Sequence, residues 1–161
     1  MHTTTLDLGC GKKPKNPFNA TKVYGIDLFE DESIGVTKRD LTVEKIPHRN
    51  EFFNFVTAFD FIEHVPRIIY MPEKRNPFIE LMNEISRVLS PGGLFLSFTP
   101  AYPNIAAFSD PTHVNIITEQ TFPLYFDSNV NWAGIYGYKG SLRMVRQEWR
   151  GVHLQTIMKK V

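Results

Sequence analysis

Through the first hundred positions apolar residues come in short runs, each closed by Gly or Asp. This pattern predicts strands over residues 3–8, 22–26 and 53–59, with a weaker one over 36–39. Phe78, Leu81, Met82, Ile85, Val88 and Leu89 fall instead on one helical face. They predict a helix over 77–89, with Asn76 as N-cap, Pro77 at the first helical position and Ser90-Pro91-Gly92-Gly93 as the stop. A strand over 94–99 follows, and strand–helix–strand in this order implies a parallel sheet. Residues 100–133 are rich in Pro, Asn and aromatics, with one short helix predicted over 119–126. Two tail strands, 142–149 and 153–158, are joined at Arg150-Gly151 as a hairpin.

Composition narrows this to one domain over 1–161. The chain is 42% apolar, which excludes a disordered segment, and its formal charge of +1 argues against a nucleic-acid groove. Lys12, Lys13 and Lys15, and Arg143, Arg146 and Arg150, read as solvated surface charge. A single cysteine, Cys10, excludes an intrachain disulfide. No apolar run approaches membrane-spanning length and the amino terminus has no signal-peptide pattern, so a cytoplasmic protein is expected.

Chemistry concentrates at the strand ends. Leu6-Asp7-Leu8-Gly9-Cys10-Gly11 runs a strand into Gly-x-Gly, where missing side chains let a ligand approach the backbone. A nicotinamide dinucleotide fingerprint would need a third Gly at position 14, which is Pro14, so a ligand without a pyrophosphate is the better candidate. The second strand ends at Asp27, placed to accept hydrogen bonds from two ribose hydroxyls.

The 6–11 stretch resembles motif I of the class I S-adenosylmethionine-dependent methyltransferases, and Tyr24-Gly25-Ile26-Asp27 resembles their second motif. Arg39-Asp40-Leu41, the run from Phe55 to Val65, and Arg87-Val88-Leu89-Ser90-Pro91-Gly92-Gly93 resemble later segments in the same order. Ile62-Glu63-His64-Val65 is similar to the type 11 subgroup in particular. The resemblance implies an α/β, Rossmann-like, mostly parallel sheet with a C-terminal antiparallel hairpin, and S-adenosylmethionine as cofactor. It implies that Asp7, Gly9 and Gly11 hold the methionine part, Asp27 the ribose with Leu28 beside it, and Asp40 the adenine amino group with Leu41 on the ring. Asp60 and Phe61 would line the methionyl side, and Cys10 would be a packed thiol inside the turn.

Against the family pattern, the chain opens at the first strand, and only about a dozen residues join the first two strands. Pro14 and Pro17 leave room for a turn or so of helix there. Helices should therefore be reduced or missing on one sheet face, the Thr3/Thr5 face, leaving it solvated or covered by a homodimer partner. His64, just beyond the fourth strand, and His113, oriented by Asp110 in Asp110-Pro111-Thr112-His113, are the candidate bases. For Asp110 a local turn capping Thr112 or His113 is the alternative, and Tyr102 is either a pocket wall or core. His48 and His153 have no partner suggesting metal ligation, and the Asp, Asp and Asn set of catechol-type methyltransferases is not recognisable, so no metal is expected. The expected activity is methyl transfer to a small-molecule or sugar-like acceptor, with a degenerate or partner-dependent cofactor-binding module as the alternative.

Overall fold

The structure is a computed structural model and describes residues 2–161. Met1, the first residue of the expected domain, lies outside the described residues. Seven strands form one sheet in the order β3-β2-β1-β4-β5-β7-β6. They are β1 (Thr4–Leu8), β2 (Lys22–Asp27), β3 (Val36–Lys38), β4 (Phe53–Phe59), β5 (Leu89–Pro100), β6 (Leu142–Arg150) and β7 (His153–Lys160). Strands β1 to β5 pair in parallel, and β7 runs antiparallel to both β5 and β6. The expected sheet with a C-terminal antiparallel hairpin is therefore present.

Helix α1 spans Pro77–Val88, with Pro77 in its first turn; Asn76 holds the N-cap position but its side chain makes no capping bond. The expected stop works differently. Leu89 turns extended at once, and Ser90-Pro91-Gly92-Gly93 lies inside β5, where pairing skips from Phe53–Leu89 to Phe55–Leu94. Pro91 removes a donor and disfavours helix before it, so extended backbone is what remains. Two short helices follow, α2 (Ala106–Ser109) and α3 (Thr121–Tyr125).

Register separates the two faces. Leu6, Leu8, Val56, Ala58 and Phe95 share one face and pack with Leu81, Met82 and Ile85 of α1 and Phe122 of α3. Thr5, Asp7, Phe55, Thr57 and Phe98 lie on the opposite face, away from α1 and α3. The lopsided covering is as expected, but the Thr5 side is not solvated. Thr5, Asp7 and Thr57 are fully buried, because the helix-free link between β1 and β2 lies over them. Phe18 of that link stacks on Phe55 at 4.5 Å between ring centroids, and the Lys15 ammonium sits 4.9 Å over the Phe59 ring. Farther out, Phe98, Gln155 and Ile157 stay half-buried, and Arg146 and Arg150 stand exposed, both paired to Glu148. No helix among the described residues is long and apolar enough to cross a membrane.

Candidate functional site: a cleft at the strand ends

The Gly-x-Gly turn is folded back onto the tip of β2. The Gly9 and Cys10 amides donate to the Ile26 carbonyl at 2.9 and 3.2 Å, and the Gly11 amide donates to Asp27 Oδ2 at 2.8 Å. Asp27 Oδ1 accepts from the Leu28 amide at 2.7 Å. Asp27 thus anchors the turn, and each carboxylate oxygen still has a second lone pair for a ligand. Gly9 has φ +62°, and a Cβ there would lie 2.4 Å from Phe61 Cδ2. A Cβ on Gly25 would lie 2.6 Å from Cys10 Sγ, so close packing requires glycine at both.

Asp7 does not reach the cleft. Its Oδ2 accepts from the Lys15 amide and its Oδ1 from the Thr57 hydroxyl, both at 2.7 Å, so it clamps the β1–β2 link to the sheet. Burial raises its pKa, opposed by those two hydrogen bonds. Cys10 is buried, and burial with the Asp7 and Asp27 carboxylates pushes its thiol up to about 12. A thiol so rarely ionised is a poor nucleophile. Iodoacetamide should therefore label Cys10 in urea and leave the native protein unmodified at pH 8, as mass spectrometry would show.

An open cleft of about 390 Å³ lies where β1, β2 and β4 end. Gly9, Asp27, Leu28, Arg39, Asp40, Leu41, Asp60 and Phe61 line it, with His64 at one side, while Asp7, Cys10 and Gly11 are not part of its lining. Asp40 forms a local turn by accepting from the Thr42 amide at 3.0 Å. Asp60 adopts φ +48° at the end of β4, and its Oδ1 meets His153 Nε2 at 2.7 Å. That partnership escapes sequence reasoning because the two residues are far apart in the chain and meet only through the β5–β7 pairing. A second cavity of about 280 Å³, by α1 and α3, is lined by Arg67, aromatics and neutral residues, with no carboxylate or histidine for proton transfer.

His64 ends the 3-10 turn Ile62–His64, and His113 faces it with ring centroids 4.8 Å apart. The expected orientation of His113 by Asp110 is not what the geometry holds. His113 Nε2 and Asp110 Oδ2 are 4.0 Å apart, whereas Asp110 Oδ1 accepts from the Thr112 amide and hydroxyl at 2.8 and 2.6 Å. Those two bonds lower the Asp110 pKa. The Thr112 oxygen in turn meets His64 Nδ1 at 3.0 Å, so Asp110 acts on His64 through Thr112. Glu63 lies beneath, 1% exposed, its Oε2 accepting from Thr99 Oγ1 at 2.7 Å. Its carbonyl accepts from the Val114 and Asn115 amides, which ties the Asp110–His113 loop to the end of β4. Tyr102 is exposed beside Phe108, so it is not core. His48 packs among Tyr24, Phe52 and Phe53 as a structural ring.

A 3-2-1-4-5-7-6 sheet with one reversed strand, a glycine turn after β1 and carboxylates at the next strand tips define a class I α/β methyltransferase. The match is direct at the level of sequence. A methyltransferase-domain family matches residues 2–152, and the chain belongs to it. No curated protein matches the chain. Among solved structures, an S-adenosylmethionine-dependent methyltransferase from Archaeoglobus fulgidus is 14% identical with TM-score 0.64, covering 98% of this chain and 86% of that one. A Haloferax volcanii protein assigned as a methyltransferase, solved in complex with the activator Trm112, is 12% identical with TM-score 0.66, covering 99% and 83%. An Aquifex aeolicus S-adenosylmethionine-dependent methyltransferase is 18% identical with TM-score 0.59, covering 99% and 83%. At these identities the likeness is one of fold.

The cofactor of this class, S-adenosylmethionine, fits the cleft chemically. The walls carry three carboxylates, Asp27, Asp40 and Asp60, against one guanidinium, Arg39, a net negative lining that suits a cationic sulfonium and ammonium better than a pyrophosphate. Gly9 keeps the floor free of a side chain beside Phe61.

Proposed function

We propose that the protein transfers a methyl group from S-adenosylmethionine to a small-molecule acceptor that enters beside His64 and His113. The observation carrying this reading is that His64 shares one cleft with Gly9, Asp27, Asp40 and Asp60. The bound cofactor supplies an electrophilic methyl on a sulfonium sulfur. The chain's own residues have to hold and orient the two partners, since displacement at such a methyl is governed by alignment. Asp27 holds the ribose hydroxyls, Asp40 faces the adenine edge with Leu41 on the ring, and Asp60 and Phe61 border the methionyl arm. His64 and His113 present imidazole nitrogen to the acceptor. The near-neutral charge favours a metabolite or sugar-like acceptor over a nucleic acid.

His113→Ala is expected to lower turnover on any accepted substrate by about 10²-fold or more. Its affinity for S-adenosylhomocysteine should equal the wild type's, because His113 is not in the cofactor wall. Product formation followed by mass spectrometry, with parallel calorimetry, checks both halves. Unchanged turnover would remove His113 from the acceptor site.

A second reading adds a partner to the same chemistry. The face away from α1 and α3, with half-buried Phe98 and Ile157, favours it, as does the likeness to a chain solved with an activator. A homodimer or an activator on this face would then complete the site, and sedimentation equilibrium of the purified chain distinguishes a dimer from a monomer.

A further inference from the structure

Beside the cofactor cleft, three potential ligands converge in a way that methyl transfer by alignment does not call for. One carboxylate oxygen of Glu63 and one ring nitrogen each of His64 and His113 lie within 4.8 Å of one another. Glu63 is 1% exposed, and its Oε1 is buried without any hydrogen-bond partner, an unfavourable situation for a polar atom unless something else satisfies it.

The surrounding bonds fix which imidazole atoms are free. The Thr112 hydroxyl gives its hydrogen to Asp110 Oδ1 at 2.6 Å, so toward His64 Nδ1 it can only accept, and His64 carries its hydrogen on Nδ1. The Ala107 carbonyl can only accept, so His113 also carries its hydrogen on Nδ1, 3.3 Å from that oxygen. Both Nε2 lone pairs are left without a hydrogen-bond partner, with Asp110 Oδ2 standing 4.0 Å from that of His113 as a further anionic neighbour. Thr99 holds the other oxygen of Glu63. Each of the three groups therefore has an outer partner that orients it, which is how histidine and carboxylate metal ligands are supported. The frame is rigid as well. Asn115, fully buried, donates to the Ile62 carbonyl at 3.1 Å and accepts from Arg67 Nε at 2.7 Å.

We propose that Glu63, His64 and His113 bind a divalent first-row transition-metal ion at the acceptor side of the cleft. Two imidazoles and one carboxylate select zinc, cobalt, iron or manganese over magnesium and calcium, which prefer all-oxygen shells. Ligands about 2.1 Å from such an ion lie roughly 3–3.5 Å apart, so the three side chains draw in by about an ångström on binding. Because His64 also lines the cofactor cleft, the ion borders it and favours acceptors presenting a hydroxyl oxygen. That acceptor class rests on the methyltransferase reading; the ion site rests on the three residues alone.

Spacing in the sequence carries no metal signal, since Glu63 and His64 are adjacent and His113 arrives on a separate loop. The test is a titration of the metal-free chain with Co²⁺, followed by visible absorption, with S-adenosylhomocysteine affinity measured on the same samples. The expected result is a ligand-field spectrum that saturates at one equivalent and is displaced by Zn²⁺. It should be absent in His113→Ala and in His64→Ala, both still folded by circular dichroism. Thr112→Val, which removes only the outer partner of His64, should weaken Co²⁺ by about 10- to 100-fold. An absorption spectrum no different from Co²⁺ in buffer overturns the proposal, as does one that survives both histidine replacements. Cobalt binding without S-adenosylhomocysteine binding would sink the cofactor reading and leave the ion site standing; the reverse would sink the ion site alone.

Discussion

Replacing Gly9 with alanine is expected to destabilise the protein by about 2–5 kcal/mol and to abolish cofactor binding. Two costs add at this position. The backbone has φ +62°, which charges an L-residue about 1–2 kcal/mol. The new methyl would also lie 2.4 Å from Phe61 Cδ2, forcing the ring off the cleft wall at an overpacking cost of about 1–3 kcal/mol. Gly11 supplies the internal comparison. Its φ is +57°, but nothing lies within 4 Å of a Cβ there. Gly11→Ala should therefore show the strain alone, and urea melts of the two variants separate strain from collision. Adding Phe61→Ala to Gly9→Ala should recover the difference between them; no recovery would mean that Phe61 is not the obstacle.

The second large effect is expected at Asp7, by a different route. Asp7→Ala takes the acceptor from the part-buried Lys15 amide and leaves the buried Thr57 hydroxyl only the Leu6 carbonyl at 3.4 Å. Two such losses cost roughly 2–4 kcal/mol, reduced by the relief of no longer burying a carboxylate. The β1–β2 link is then free to lift from the sheet, and Asp27, held through the Gly11 amide, loses its fixed position. Asp7→Asn tests the charge separately. Burial raises the folded-state pKa of Asp7 above its unfolded value. Its contribution to stability is therefore full below the unfolded pKa, about 3.9, and is lost as pH rises through the raised folded value. The difference in unfolding free energy between wild type and Asp7→Asn should shift in favour of the Asn variant as pH rises from 4 to 7. A difference independent of pH would contradict that ionisation.

These residues also mark how far the sequence is legible. The strands follow from apolar runs closed by Gly or Asp, because a sheet buried under α1 on one face needs that spacing. The Gly9 turn and the aspartates at positions 27, 40 and 60 are readable as a set, since each closes or follows a strand and parallel strands deliver their ends to one edge. Asp7 looks equally like a ligand contact from its motif. Only the path of the Pro-rich link, which brings the Lys15 amide back onto it, turns it into a clamp. The missing helix on that face is legible from the length of the link and its prolines, but its burial under Phe18 and Lys15 is not. Distant pairs account for the rest. Asp60 meets His153, Thr112 meets His64 and Glu63 meets Thr99 through strand register and loop closure, which no local pattern encodes.

The proposed activity requires that the cleft at the ends of β1, β2 and β4 bind the methyl donor through Asp27. Calorimetric titration of the purified chain with S-adenosylhomocysteine, beside Asp27→Ala, tests it most directly. One site of micromolar affinity is expected, weakened by about 1–3 kcal/mol in the variant, or roughly 5- to 150-fold. Absence of binding to the folded chain, or binding that Asp27→Ala leaves unchanged, would contradict it.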